Sequence, residues 1–425
     1  MEVKKLSLPG VTTVIRDRFY TMSRTEIPVG PRIVAIGKRS TADKTAGISD
    51  LDPYNASNES NVIDAFGAES QLHRAYLELV SGGATRVTLI ALPSDTAYNH
   101  TNGTISSAAY TLLVGSNTLF DDAFSAAESV RADIIVPWGR GADENDFEDP
   151  PATPDNDNEI GFYADNDDGA ASWALKIATK CAEITNNSHP CFAILGVKPY
   201  QGASGADGGM TPANVNNHTQ LPNLIARDDV LMGAVGIYVS IVAAEVTPLG
   251  YNRNYDFGFS NGACMYAGHI SQLDSWSAPT GKPVFNTEKL RYNPTRTQQL
   301  AMVADGVVSI ALNFDRRATW IDAQTFGKLT SDYVRLTTLR IVFDAVQMVR
   351  QVAQQFIGEA TNVQSRNALE TAVTAGLRGM QQVGAVLASD FTVTYIPAEN
   401  KAIIDLVLNP AFELRNLEVR VSVQL

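Results

Sequence analysis

Residues 121–137 read DDAFSAAESVRADIIVP. Asp121 and Asp122 put negative charge in the first turn of a helix over 121–131, where it meets the positive end of the helix dipole. The run DIIV at 133–136 is short, continuous and apolar, the pattern of a strand covered on both faces, and Pro137 halts it. The same alternation continues on either side. A strand is expected at 110–114, a helix at 169–185 and a second buried strand, CFAILGV, at 191–197. Strand, helix, strand at these lengths implies a mainly parallel sheet with helical cover, because a parallel pair needs a long crossover between its strands.

Upstream, RIVAIGK at 32–38 and RVTLIAL at 86–92 read as strands. Between them a helix over 61–80 is broken at Gly67. Val62, Ile63 and Phe66 share one face, Leu72, Ala75, Tyr76 and Leu79 recur at three- and four-residue steps, and Gly82-Gly83 closes the run as a C-cap. Downstream, 201–219 is a loop rich in Gly, Ala and Asn. Residues 230–246 read as buried helix passing into strand, and 263–273 as helix. Residues 307–312 and 318–321 read as two strands meeting at the charged turn Asp315-Arg316-Arg317.

From Asp332 the character changes. Leu339, Val342, Val346, Val349, Ala353 and Phe356 mark one long helix ending at Gly358. Leu369, Val373, Leu377, Met380, Val383 and Leu387 mark a second over 365–388. Strands at 391–396 and 403–408 flank a turn at 397–401. Two helices followed by a β meander form an α+β unit, distinct in style from the α/β region before it. From Arg291 onward there are eleven Arg, two Lys and twelve acids. Arginine is the cation of paired, partly dry contacts, which suits a protein interface.

Both ends have the look of extended arms. Residues 417–425, LEVRVSVQL, alternate apolar and polar to the last position, the period of a strand with one buried face. Residues 6–15, LSLPGVTTVI, are apolar and β-branched, broken at Pro9-Gly10. Such strands need a sheet edge to satisfy their backbone groups. That edge belongs either to this molecule or to a neighbour, as in subunits that lend strands to one another.

The 425 residues suffice for two or three domains, and 44% apolar with 19% charged residues at a mean hydropathy of −0.07 is ordinary for a globular chain. No run of eighteen apolar residues is present to span a bilayer, and MEVKKLSLPG lacks the apolar core of a secretion signal, so a cytosolic origin is expected. The net charge of −13 is concentrated: residues 143–168 carry eleven acids and no Lys or Arg, leaving 35 acids against 33 basic residues elsewhere. That segment, with its three prolines, reads as a solvated outward loop. Its end, Asp165 to Gly169, lacks the spacing and the distant glutamate of a calcium loop. Without a basic field, nucleic-acid binding is not expected.

Cys181, Cys191 and Cys264 have neither the number nor the spacing of a disulfide framework or zinc site and read as small core residues. Gly258 to Gly262 matches the nucleophile-elbow pattern G-x-S-x-G around Ser260, the basis of an alternative α/β hydrolase reading. However, the preceding NRNYD is polar, and only His269 follows, with no acid between. The glycines at 202, 205, 208 and 209 are not followed by the Lys-Ser or Lys-Thr of a phosphate loop. His73, His100, His189, His218 and His269 never fall at i, i+4. No cofactor, metal site or catalytic activity is expected.

Taken in order, several patches resemble the tail sheath proteins of contractile-tailed bacteriophages and related contractile injection systems. They are Leu8-Pro9-Gly10-Val11, Val62 to Gly67 continuing through Ala75-Tyr76 and Gly82-Gly83 to Val87, and Val136-Pro137-Trp138-Gly139. Towards the C-terminus come Arg317-Ala318-Thr319-Trp320, Tyr333-Val334-Arg335-Leu336, and Asp390 to Val393 through Pro410 to Val423. The resemblance implies an N-terminal arm at 1–28, outer α/β domains with a mainly parallel sheet at 29–290, an α+β core domain facing a tube at 291–412 and a C-terminal arm at 413–425. It further implies a non-enzymatic virion structural protein, assembled in the host cytoplasm into the particle tail, that polymerises helically and contracts. Its partners would be further copies of itself, an inner tail tube protein, and baseplate and tail terminator proteins, with no direct membrane insertion. Leu8, Val11, Val14, Ile15, Leu417, Val419, Val421 and Val423 are the expected intersubunit arm contacts. Arg335, Arg340, Arg350, Arg366 and Arg378 are candidates to face the tube. A ring-forming tail scaffold would share the arms but stop at finite size.

Overall fold

The computed structural model describes residues 30–39, 48–68, 70–92, 118–137, 173–196, 230–244, 246–248, 260, 262–284, 286–290, 293–360, 362–411 and 413. The first part of the chain runs β1 (Ile33–Lys38), β2 (Pro53–Ala56), α1 (Glu59–Phe66), α2 (Gln71–Gly82), β3 (Val87–Leu92), α3 (Thr118–Ser129), β4 (Ile134–Pro137), α4 (Trp173–Asn187), β5 (Phe192–Gly196), α5 (Val230–Val235) and β6 (Val239–Val242). It continues with β7 (Val246–Pro248), α6 (Ala263–Gln272), β8 (Thr287–Leu290), α7 (Arg296–Ala304), β9 (Val307–Val308), β10 (Ile310–Leu312) and β11 (Ala318–Trp320). The last part is α8 (Leu336–Gln354), α9 (Val363–Gln382), β12 (Val386–Ile396) and β13 (Lys401–Pro410).

Seven strands form one sheet in the order β2-β3-β1-β4-β5-β6-β9. All pairings are parallel except that of β2, which closes one edge antiparallel to β3. Strands β3, β4, β5 and β6 are buried along their whole length. This is why they are spelled as nearly continuous apolar runs; the two polar exceptions are hydrogen-bonded, Thr88 donating to Asn55 Oδ1 at 2.9 Å and Ser240 to the Gln324 carbonyl at 2.7 Å. The helix–strand unit at 121–137 is therefore found as expected, with α3 leading into β4 beside β1. Asp133 sits at the start of β4, accepting from the Arg32 amide at 2.7 Å and lying 3.0 Å from Nε2 of His189.

Helix ends follow their local chemistry. Asn58 caps α1 by accepting from the Asn61 amide at 2.9 Å, and Ser70 caps α2 by accepting from that of His73 at 3.1 Å. Gly83, at φ +108°, ends α2 in the left-handed region that glycine adopts without steric cost.

Two expected elements differ. The run 307–312 is not one strand: β9 joins the parallel sheet beside β6, whereas β10 pairs antiparallel with β11. The chain changes sheets at Ser309, whose carbonyl accepts from the Ile321 amide at 2.9 Å. The helix expected over 365–388 stops at Gln382, because Gly384 at φ +76° reverses the chain and Val386 and Leu387 enter β12. The strand expected at 110–114, the acidic segment 143–168, the loop 201–219 and both arms lie outside the described residues.

Helix α8 ties the C-terminal helices to the sheet. Its Leu339, Val346 and Val349 are buried, and the Phe343 ring lies 6.3 Å from that of Phe192 in β5 and 6.2 Å from that of Tyr238. Strand β9, at 307–308, joins the large sheet beside β6.

Candidate assembly surface

After α9 the chain forms a long two-stranded hairpin, paired antiparallel from Val386 opposite Pro410 to Ile396 opposite Lys401. Phe391, Val393, Ile404 and Leu406 are half-buried against the core, and Leu408 is fully buried. Asp390, Thr392, Thr394, Asp405 and Val407 face solvent. A bulge at Leu387 leaves that side chain 59% exposed, and Val407 is 44% exposed. Among the described residues neither outer edge of the hairpin has a further strand. An isolated hairpin is at best marginally stable in water, and an uncovered edge presents a row of backbone donors and acceptors to any chain that can pair with it.

The five arginines singled out from the sequence are distributed over different tasks. Arg340 donates to the carbonyls of Ile270 (3.1 Å), Leu273 (2.6 Å) and Asp274 (3.2 Å), capping the C-terminal end of α6. Arg350 does the same for α4, donating to Thr185 O at 2.8 Å and Ser188 O at 2.6 Å, and burial draws its guanidinium below the usual arginine range. Arg335 donates to both carboxylate oxygens of buried Asp322, at 3.0 and 3.1 Å. Arg366 lies over the Tyr395 ring, 4.4 Å from its centroid, and joins α9 to β12. Arg378 is exposed on α9. The capping roles of Arg340 and Arg350 left no mark in the sequence, since their acceptors are backbone carbonyls distant in the chain.

Ser260 and His269 are not brought together as a nucleophile and base. The Ser260 hydroxyl, fully buried, donates to Glu78 Oε2 at 2.6 Å and accepts from the Gly262 amide at 3.0 Å. Glu78 is paired in turn with Arg74, at 3.0 Å. His269 Nδ1 accepts from the Trp320 indole at 3.0 Å. Burial first, and then the nearby Lys282 cation, lower the His269 pKa to about 4, so the ring is neutral at pH 7. Cys181, Cys191 and Cys264 are all buried, and desolvation raises the thiols of Cys181 and Cys264 well above their ordinary value. Among the described residues no group of three or more His, Cys, Asp and Glu is placed to hold a metal, and no helix is long and apolar enough to cross a membrane.

No protein-family model matches the chain, and no curated protein matches it. Solved structures do. A chain of the anti-feeding prophage baseplate is 13% identical, with a TM-score of 0.61 over 99% of this chain and 100% of that one. The helical sheath of the anti-feeding prophage in its contracted state is 13% identical, with a TM-score of 0.58 over 98% and 99%. A sheath tail protein of Listeria innocua is 11% identical, with a TM-score of 0.57 over 91% and 93%. At such identities the likeness is one of fold, and it runs nearly end to end: the chain has the fold of the sheath proteins of contractile injection systems.

Proposed function

We propose that this chain is a structural subunit of a contractile sheath, polymerising helically around an inner tube and shortening to drive that tube through a cell envelope. The observation that carries the reading is the likeness to sheath proteins over almost the whole chain, including one in a contracted helical assembly. The hairpin supports it: among the described residues β12 and β13 form a sheet of two strands, and the sequence pattern of residues 6–15 and 417–425 suits strands that neighbouring copies would add to it. Four or five main-chain hydrogen bonds per arm, at about 1 kcal/mol net each, together with the buried faces of Val419, Val421 and Val423, make a durable link. Leu8, Val11, Val14, Ile15 and Leu417 complete the apolar faces of the two arms. Other contacts between subunits then slide while these links hold.

Contraction without a nucleotide requires a metastable extended state and a contracted state with the better contacts. The role is structural, not catalytic: the serine of the G-x-S-x-G pattern is a buried donor to Glu78. We place the acidic segment 143–168 outward and the C-terminal unit at 291–412 towards the tube. Arg378 and Arg366 on α9 are the candidates left to meet that tube, since Arg335, Arg340 and Arg350 hold their own fold together. Beyond further copies of itself and a tail tube protein, the partners are baseplate and tail terminator proteins, and the location is the tail of the particle, after assembly in the host cytoplasm.

Negative-stain microscopy of the purified chain tests the reading. Long hollow cylinders are expected. Discrete rings of fixed size would point to a closed scaffold, and small separate particles would remove the sheath assignment.

A further inference from the structure

The turn that joins β10 to β11 is closely tied. The Asn313 amide donates to the Arg317 carbonyl at 2.9 Å, its side-chain Oδ1 accepts from the Arg317 amide at 3.0 Å, and its own carbonyl accepts from the Arg316 amide at 3.0 Å. Arg316 completes the reversal at φ +58°. The strands below are anchored: Trp320, opposite Ile310, is buried, and the Val284 amide donates to the Ala318 carbonyl at 2.8 Å. On this mount Phe314 is fully exposed, with exposed Leu312 before it and exposed Asp315, Arg316 and Arg317 after it. A phenyl ring kept wholly in water adds nothing to the packing of its own chain, and an aromatic ring beside arginines is the composition of residues that carry binding energy.

A surface of complementary character lies elsewhere on the molecule. On the outer face of the β12–β13 hairpin, exposed Val407 stands opposite exposed Asp390, and Asp405 stands opposite Thr392. Exposed Leu387 sits at the bulge where β12 begins. Apart from Lys401 at the far end, Asp390 and Asp405 are the only charged residues of the two strands. One surface thus offers a ring with two cations, and the other offers aliphatic side chains with two carboxylates. Because they are different surfaces, a contact between them is heterologous, and when its rotation does not close it propagates as an open helix. We propose that the Phe314 turn of one copy docks on the outer face of the β12–β13 hairpin of another copy, the ring against Leu387 and Val407 and the two arginines towards Asp390 and Asp405. This contact rests on the sheath reading, and it is separate from the arms. An added strand would take an edge of the hairpin and set its apolar residues on the core side with Phe391 and Leu406, which leaves the outer face open.

Photochemical cross-linking of the full-length chain tests the docking. Isotopically heavy and light chains carrying Phe314→p-benzoylphenylalanine are mixed, assembled and irradiated. Cross-links joining heavy to light chains are expected from residue 314 to peptides within 383–392 or 405–410. Phe314→Ala is expected to raise the concentration needed to form cylinders about tenfold, with the Tm unchanged because the ring packs on nothing in its own chain. Arg316→Glu with Arg317→Glu should act likewise, and adding Asp390→Arg and Asp405→Arg should restore assembly. Cylinders in which the cross-links never join heavy to light, or fall on other peptides, would overturn the docking and leave the sheath reading standing. So would Phe314→Ala cylinders at the wild-type concentration. Wild-type chains that form no cylinders would remove the sheath reading and the docking with it, and microscopy of the same samples tells the two failures apart.

Discussion

Ser260 shows how far a short motif can be from its chemistry. The pattern was plain in the sequence, but the partner that decides its role, Glu78, is 182 positions away and reaches the serine only through the packing of α2 beside α6. Ser260→Ala is therefore expected to cost about 1–3 kcal/mol of stability, by removing a donor from a buried carboxylate, and to leave assembly intact. Thermal and urea unfolding measure the first part, and microscopy of cylinders the second. His269 has a different signature. Its pKa of about 4 in the folded chain lies below the 6.5 of an unfolded histidine, so between those values the unfolded state binds more protons. The contribution is intact above pH 6.5, falls as pH drops, and is fully lost below about 4. Its size is about 3 kcal/mol. Denaturant unfolding from pH 7 to pH 4 should show this slope, and His269→Gln, which lacks the titrating ring, should flatten it. Nothing in the spacing of the histidines pointed to this. The burial that causes it comes from Trp320, Tyr266 and the helix around it.

Among the elements, those decided by local sequence were the legible ones. The buried runs at 86–92, 133–136 and 191–197 became β3, β4 and β5 to within a residue or two, and the break at Gly67 separated α1 from α2. What local pattern could not supply was a change of partner. Val383 and Leu387 continue the three- and four-residue spacing of α9, so the helix read on past the point where Gly384 turns it into β12. Val307 and Val308 likewise read as one strand with Ile310, although they belong to different sheets.

Helix crossings were equally hidden. Where α2 meets α6, a Cβ on Gly268 would lie 2.9 Å from the Gly82 Cα and press on the Leu79 carbonyl oxygen, and one on Gly82 would lie 3.1 Å from the Gly268 Cα and press on the Met265 carbonyl oxygen. Gly268→Ala is thus expected to destabilise the chain by about 1–3 kcal/mol, since backbone on both sides has no rotamer to yield. Gly376 of α9 faces instead the thioether of Met348, a flexible side chain. Gly376→Ala should cost clearly less than Gly268→Ala, and comparison of the two midpoints in urea checks the difference. Equal costs would contradict the close crossing of α2 and α6.

Over the whole molecule, the parallel sheet, the long helices and the final hairpin were legible because each repeats a simple periodicity over many residues. The seventh strand of the sheet was not, since β9 is two residues long and its sequence runs on without a break into Ile310 to Leu312. Nor was the way one helix, α8, gathers two other helices through Arg340 and Arg350. The account of function rests on strands that leave one subunit to complete the sheet of another. A chain lacking 417–425 is expected to fail to form long cylinders. The most direct measurement is a side-chain-resolution reconstruction of the assembled cylinder. It is expected to show residues 417–425 as a strand hydrogen-bonded to the β12–β13 hairpin of a different subunit, with Val419, Val421 and Val423 on the face shared with Phe391 and Leu406. Finding that strand paired with the hairpin of its own chain, or cylinders held together without it, would contradict the account.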